Sequence, residues 1–319
     1  MKIVLTGASG YLGTVLAPFL SALEHEMVLV ARRELDYPLP ARARWLQWDG
    51  ENLGDWAREI DGADAVINLA GRSVNCRYSE KNRREILESR LQTTRIVAQS
   101  IGEAKNPPRV WLNAASATIY HDERGRDMDE TSGVVGEGFS VEVCKAWEGA
   151  LFESNLLRTR RVALRMSMIF GRSAPVFEVF ERLTKLGLGG PQGDGGQYVS
   201  WIHERDCLRA LQFLLENETL SGPVNVCAPH PIPNREWTRV LRRIFSVPFG
   251  LPAPRPAMEI GAILMQTETE LALKSHRVVP KRLLSAGFKF DFPHWRLAAP
   301  DIIDSPQRRE GAKNLEGNQ

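Results

Sequence analysis

Cysteine is scarce. The four residues Cys76, Cys144, Cys207 and Cys227 are scattered over 319 positions, with no Cys-x-x-Cys pair and no histidine at zinc-site spacing, which argues against structural zinc, a metal site or a disulfide framework. Long apolar runs are missing too. Nothing approaches the ~20 residues of a membrane span, and Ile3-Val4-Leu5 after Met1-Lys2 is too short for the apolar core of an export signal. A reduced, cytoplasmic protein with no membrane partner is the expectation. Net charge is nearly absent: 41 Lys and Arg against 39 Asp and Glu give +2, too even for a chain that lives on nucleic acid. Any basic function must therefore be local. The means to build a core are present, since 43% of residues are hydrophobic and a chain of about 300 residues buries roughly three quarters of its unfolded surface.

Short β-type runs alternate with longer helical patterns through the first half. Strands are expected at 2–6, 27–31, 44–47, 65–69, 110–113 and 161–166, and helices at 11–23, at 79–103 and from about 138 to 157. That alternation predicts an α/β fold of the Rossmann type, a doubly wound parallel sheet. Beyond Gly171 it loosens into a glycine-rich stretch at 187–196 and proline-rich segments at 229–233 and 248–256. The expected organisation is a nucleotide-binding domain over 1–165 with returning segments at about 197–228, and a smaller, interleaved C-terminal α/β substrate lobe over 166–300. Ser79 opens the long helix, Asn234 reads as an N-cap, and Pro280 as the first residue of a short helix. The polar stretch 305–319 predicts a disordered tail.

The first strand runs into Gly7-Ala8-Ser9-Gly10-Tyr11-Leu12-Gly13. Missing side chains let the backbone turn tightly and approach a pyrophosphate, whose charge meets free N–H groups and the positive end of the following helix. Such a turn can also serve as a plain β-to-α connection, but its place between an N-terminal strand and an amphipathic helix favours dinucleotide binding. An NAD site needs an acidic residue after the second strand to accept from the ribose hydroxyls. Arg32 and Arg33 stand there instead. Guanidiniums bind a 2′-phosphate, so NADP(H) is the expected cofactor; simple solvation of both is the alternative.

With these residues in view the chain resembles the extended short-chain dehydrogenase/reductases, the group of sugar epimerases and dehydratases. Gly189-Gly190-Pro191, Ser200-Trp201-Ile202-His203, Cys144-Lys145-Ala146-Trp147-Glu148 and Pro280-Lys281-Arg282-Leu283-Leu284 with Ala286-Gly287-Phe288 resemble its atypical epimerase subfamily, including that subfamily's C-terminal domain of unknown function. The resemblance covers about residues 1–297. It implies cofactor contacts from Gly7, Ser9, Gly10, Tyr11, Leu12 and Gly13, from Arg32 and Arg33, from Asp49 at the adenine, and from Leu69, Ala70 and Gly71 after the fourth strand. It further implies Arg90 near the cofactor ribose, Ala115, Met168, and the segment Arg165 to Gly171 near the nicotinamide. Most members of that subfamily have no assigned substrate.

One feature of the superfamily is missing. Its members pair a tyrosine with a lysine four residues later, whose charge favours the phenolate. None of the five tyrosines here has that lysine. Aligned on Glu148, the two positions hold Ser140 and Cys144. Lys145 is one residue off, or roughly 100° around a helix. The strand-end segment Ala115-Ser116-Ala117-Thr118-Ile119-Tyr120 resembles the one that holds a substrate oxygen in sugar epimerases, so Ser116 and Thr118 are candidate polarising groups, unless they only satisfy a strand end. Tyr120 is read as an alternative acid or, first, as packing. Candidate substrate residues are Arg77, Gln197, Trp201 and His203, with Arg72 and Lys81 completing a basic rim; His203 reads first as a structural imidazole near a helix start, and Trp201 reads equally as core.

Two functions follow as expectations. One is an NADP-dependent epimerase or oxidoreductase, monomeric or homodimeric, acting on a small sugar-like or anionic molecule without the Tyr–Lys pair. The other is a non-catalytic NADP(H)-dependent regulator, for example a binding protein related to cell division.

Overall fold

The computed structural model describes residues 1–264 and 268–304, so the expected tail at 305–319 lies outside the described residues. In chain order the elements are β1 (Lys2–Thr6), α1 (Tyr11–Ala22), β2 (Glu26–Ala31), β3 (Ala43–Gln47), β4 (Ala65–Asn68), α2 (Glu80–Glu103), β5 (Val110–Ser116), α3 (Phe139–Phe152), β6 (Arg160–Met166), β7 (Met168–Phe170) and α4 (Pro175–Lys185). They continue with β8 (Tyr198–Val199), β9 (Trp201–His203), α5 (Glu204–Glu216), β10 (Gly222–Val226), β11 (Ile232–Pro233), α6 (Asn234–Ile244), α7 (Arg255–Leu264), α8 (Glu270–Leu273), α9 (Lys281–Ser285) and α10 (Trp295–Asp304).

Seven strands form one parallel sheet in the order β3-β2-β1-β4-β5-β6-β10. Strand side chains alternate between faces, and both faces are covered. Ile3 and Leu5 pack with Leu16 of α1 and Leu211 of α5 on one side, while Val4 packs with Val97 and Ile101 of α2 on the other. This is why the strands read as nearly continuous apolar runs. The order of connection reverses between β1 and β4, and the crevice beyond their carboxyl ends is where such sheets bind ligands.

A second core is aromatic. Trp295 of α10 lies 5.1 Å from Phe170, 5.1 Å from Trp201 and 5.6 Å from Trp237 between ring centroids, joining α6 and α10 to the short β7–β9 pair. Two expected helix starts are displaced. Asn234 is the first residue of α6, not its cap; its side chain instead accepts from the Gln192 amide at 2.8 Å and donates to Gln192 Oε1 at 3.1 Å, tying the glycine-rich stretch to the lobe. Pro280 stands one position ahead of α9. Ser79 does cap α2, its hydroxyl accepting from the Asn82 amide at 3.3 Å.

Candidate dinucleotide site

The turn after β1 is pressed against its neighbours on two sides. Gly7 has φ +78°, and a Cβ there would stand 2.7 Å from Ala70 N and Leu69 C; one on Gly13 would stand 2.7 Å from Ala8 Cα and from the carbonyl oxygens of Gly7 and Ala8. Only glycine lets the turn, the β4 loop and α1 come this close. Gly10 precedes α1 in extended conformation, and among the described residues no side chain bonds the first-turn amides and no acid stands in that turn. A helix start left this way presents N–H donors and a partial positive charge to an anion. Beside it a cavity of about 400 Å³ is lined by Ser9, Arg32 and Arg33. Both guanidiniums are exposed. The residues present fit a phosphorylated dinucleotide: glycines where a Cβ would collide, free donors at a helix start, and two cations at the end of β2.

Other expected contacts carry structural duties as well. The Tyr11 hydroxyl is spent on Glu204, so Tyr11 can meet a phosphate only through its backbone. Burial first, then Glu204, drives its pKa far up. Gly171 is thereby explained: a Cβ there would collide with both partners of that bond. Asp49 is exposed, and the Asn52 side chain first, then the amides of Glu51 and Asn52 at 2.8 and 2.9 Å, donate to its carboxyl and hold it below the usual range. Leu69 donates its amide to Thr6 O at 3.0 Å, and the Ala70 amide donates to Asn68 Oδ1 at 3.1 Å. Behind that turn runs a buried chain missed in the sequence: Thr6 Oγ1 donates to Asn68 Oδ1 at 2.6 Å, and Asn68 Nδ2 to Asn113 Oδ1 at 2.7 Å. Three polar residues in register, at the ends of β1 and β4 and in the middle of β5, were the available signal. Arg90 lies half-buried in α2, donating to Arg72 O and Ile86 O at 2.9 Å each, with its guanidinium 4.9 Å from the Trp147 ring; desolvation lowers its pKa. Ala115 is buried at the end of β5, and Met168 begins β7, half-buried.

Around the expected reaction centre, Ser116 Oγ donates to Thr118 Oγ1 at 2.9 Å and accepts from the Thr118 amide at 3.2 Å. Both residues remain partly accessible. Lys274, from the distant lobe, donates to the Thr118 carbonyl at 3.1 Å. Ser140 is 9% exposed and stands beside the Tyr78 hydroxyl. The Tyr78 ring packs edge-on against the adjacent Phe139 at 5.0 Å; burial raises the Tyr78 pKa and neighbouring Ser140 opposes the rise. Tyr78 and Lys274 both escaped the sequence reading, because they face α3 from two loops far away in the chain. Cys144 is buried, and its thiol is pushed up to about 12 by that burial and then by Glu148, which leaves it inert.

The remaining candidates have partners of their own. Tyr120 is 1% exposed; its hydroxyl donates to Asn225 Oδ1 at 2.9 Å and accepts from Arg165 Nη1 at 2.8 Å. Arg165 in turn forms a two-bond pair with Glu148 at 2.7 and 2.8 Å, so the Tyr120 hydroxyl is enclosed in a buried hydrogen-bond network. Gln197, Trp201 and His203 are 1%, 0% and 6% exposed. Gln197 bonds Gln192 O, and the Trp201 indole donates to His230 O. His203 caps α5, its Nδ1 accepting from the Arg205 amide at 3.0 Å, while its ring stacks on Phe292 at 4.0 Å. The basic rim is met by acid: Arg72 pairs with Glu85, Lys81 approaches Glu85 at 3.9 Å, and Arg77 lies 3.4 Å from Glu268.

Comparison with known proteins gives the family. Residues 3–227 match the model of the NAD dependent epimerase/dehydratase family, and residues 253–302 match a domain of unknown function, DUF1731. The chain is 32% identical over 289 residues to the epimerase family protein ML0860 of Mycobacterium leprae, covering 90% of this chain and 91% of that one. It is 30% identical to the human epimerase family protein SDR39U1 over 311 residues, 95% of this chain and all of the relative. The crystal structure of human SDR39U1 isoform 2 with NADPH superposes with a TM-score of 0.84 at 29% identity, covering 96% of this chain and 100% of that one.

Proposed function

Because the chain belongs to the NAD dependent epimerase/dehydratase family, we propose that it binds NADP(H) and uses it to oxidise, reduce or epimerise a small sugar-like or anionic molecule without a Tyr–Lys pair. The observation that carries this reading is the cradle after β1, where Gly7 and Gly13 have no room for a side chain and Arg32 and Arg33 bound the adjoining cavity. Human SDR39U1, solved with NADPH, supports the phosphorylated cofactor. First-turn amides of α1 would hold the pyrophosphate, and Arg32 and Arg33 would take the 2′-phosphate. When bound, the cofactor supplies or accepts a hydride. Ser116 and Thr118 then fix and polarise the substrate oxygen, with Lys274 anchoring the Thr118 carbonyl and adding positive charge beside it.

A second reading, a regulator that binds NADP(H) without turning it over, is favoured by one observation: the α3 positions that would carry tyrosine and lysine hold buried Ser140 and Cys144. Fluorescence titration with NADPH and NADH tests the cofactor first. Tighter NADPH binding is expected, weakened at least about tenfold relative to NADH by Arg32→Glu with Arg33→Glu. Equal or tighter binding of NADH by the unmodified protein sinks the assignment. Incubation with NADPH and a metabolite panel then separates the two readings. Turnover that falls in Ser116→Ala indicates an enzyme, and tight binding without turnover indicates the regulator.

A further inference from the structure

The even charge of the whole chain conceals a local excess in the C-terminal half of α6. Arg239, Arg242 and Arg243, with Ser246, Val247 and Pro248, line a cavity of about 360 Å³. Arg242 donates to Gly189 O at 2.6 Å, while Arg239 and Arg243 meet no carboxylate among the described residues. Desolvation and then the charge of Arg239 lower the Arg242 pKa, so two cations face one another uncompensated. A helix C-terminus favours cations by only about 0.3–1 kcal/mol, which does not account for three guanidiniums around one hollow.

Next to this hollow, two loops are tied together. The Leu251 amide donates to Gly187 O at 2.8 Å, and a Cβ on Gly187 would sit 3.3 Å from the Phe249 ring. On these loops Leu186, Leu188, Phe249 and Leu251 are 73%, 45%, 64% and 58% exposed. Single exposed apolar residues are ordinary, but four on two touching loops mark a surface made to be covered. Arg182 and Lys185 flank them, paired within α4 to Glu178 and Glu181.

We propose that this face docks on an anionic phospholipid bilayer, the arginine-lined hollow taking lipid phosphate while Leu186, Leu188, Phe249 and Leu251 enter the boundary between headgroups and acyl chains. A bilayer sets negative phosphate directly above hydrocarbon, which matches cations beside apolar loop tips. A second copy of the chain fits less well, because a two-fold contact would press like-charged arginines together. An acidic peptide answers the arginines and leaves the loop tips in water. The contact is peripheral: among the described residues no helix is long and apolar enough to cross a membrane. It departs from the expectation of no membrane partner, which rested on the missing apolar runs and on charge averaged over the whole chain, and it stands whether or not the cofactor reading does.

Co-sedimentation of the full chain with vesicles of phosphatidylcholine alone, and of equimolar phosphatidylcholine and phosphatidylglycerol, tests it at low and high salt. Binding is expected only to the anionic vesicles and is weakened by salt. Arg239→Glu with Arg243→Glu lowers the partition constant at least about tenfold. Phe249→Ser with Leu251→Ser lowers it comparably, and both variants keep the circular dichroism spectrum and NADPH affinity of the parent. Absence of binding by the unmodified chain, or equal binding to both vesicles, overturns the proposal. So does full displacement by millimolar inorganic phosphate with the loop-tip variant binding normally, which marks a free-anion site. A lipid-free dimer that the loop-tip variant abolishes marks an interface between copies and overturns it as well.

Discussion

At the scale of single residues, two glycines with positive or crowded backbones make different demands. Gly13 is fixed by what surrounds it, since the atoms 2.7 Å from an added Cβ are backbone of the same turn and cannot swing away. Gly62 has φ +77° with nothing within 4 Å of an added Cβ, so only its own conformation resists substitution. Gly13→Ala is therefore expected to raise the NADPH dissociation constant at least about tenfold and to cost about 1–3 kcal/mol of stability through forced backbone shifts. Gly62→Ala is expected to cost about 1–2 kcal/mol with NADPH affinity unchanged. Fluorescence titration and denaturant unfolding of both variants check this, and equal loss of affinity in the two would show that the Gly13 contact has nothing to do with the ligand. The glycines were legible in the sequence because their spacing follows a strand directly. Lys274 and Tyr78 were not, because nothing local distinguishes a lysine or tyrosine whose partner is 156 or 61 positions away.

Among elements, the sheet was the most legible part, since strands covered on both faces leave apolar runs that no exposed loop would carry. Its edges moved by a residue or so, and β5 extends to Ser116 because Ala114 and Ala115 are small enough to look like punctuation yet are buried in register with Leu164 and Arg165. The second, aromatic core was less legible. The strands beside it span two or three residues, and it is assembled from side chains on β7, β9, α6 and α10, a pattern with no local period. The pair Arg165 and Glu148 shows how a motif can carry structure where chemistry was expected: it joins β6 to α3 and holds the Tyr120 hydroxyl in place. Glu148→Ala leaves a buried guanidinium without its partner, and a loss of about 3–5 kcal/mol is expected. Tyr120→Phe, which frees one acceptor and one donor, is expected to cost about 1–3 kcal/mol. Both are expected to keep NADPH affinity while folded. The double variant should lose less than the sum, as for groups in one network. Strict additivity in urea unfolding would break the network argument.

The molecule as a whole should be acid-sensitive in a window set by its imidazoles. His203 joins the end of β9, the start of α5 and the 291–301 segment, with Phe292 stacked on its ring and Asp301 3.2 Å from Nε2. Desolvation, only partly offset by Asp301, pulls its pKa from 6.5 to about 4, and desolvation brings His276 to about 4 as well. A folded pKa below the unfolded value means that the unfolded chain binds more protons between the two. The contribution to stability is then complete above 6.5 and lost as pH falls toward about 4. For His203 the loss reaches at most roughly 3 kcal/mol. Asp129 adds to it only at lower pH: burial is outweighed by bonds from Thr131 and Ser132 that hold its carboxyl far down, so its contribution is present above the unfolded 3.8 and fades as pH drops through and below that value. Asp206, raised by desolvation, works against both trends. Urea unfolding across this range should show stability falling before the carboxylates titrate. His203→Asn retains an acceptor for the Arg205 amide and removes the titrating ring, so its stability curve should be flatter by about one proton between pH 6.5 and 4. An unchanged slope in that variant would place the acid sensitivity elsewhere in the fold and leave His203 only the role of a cap.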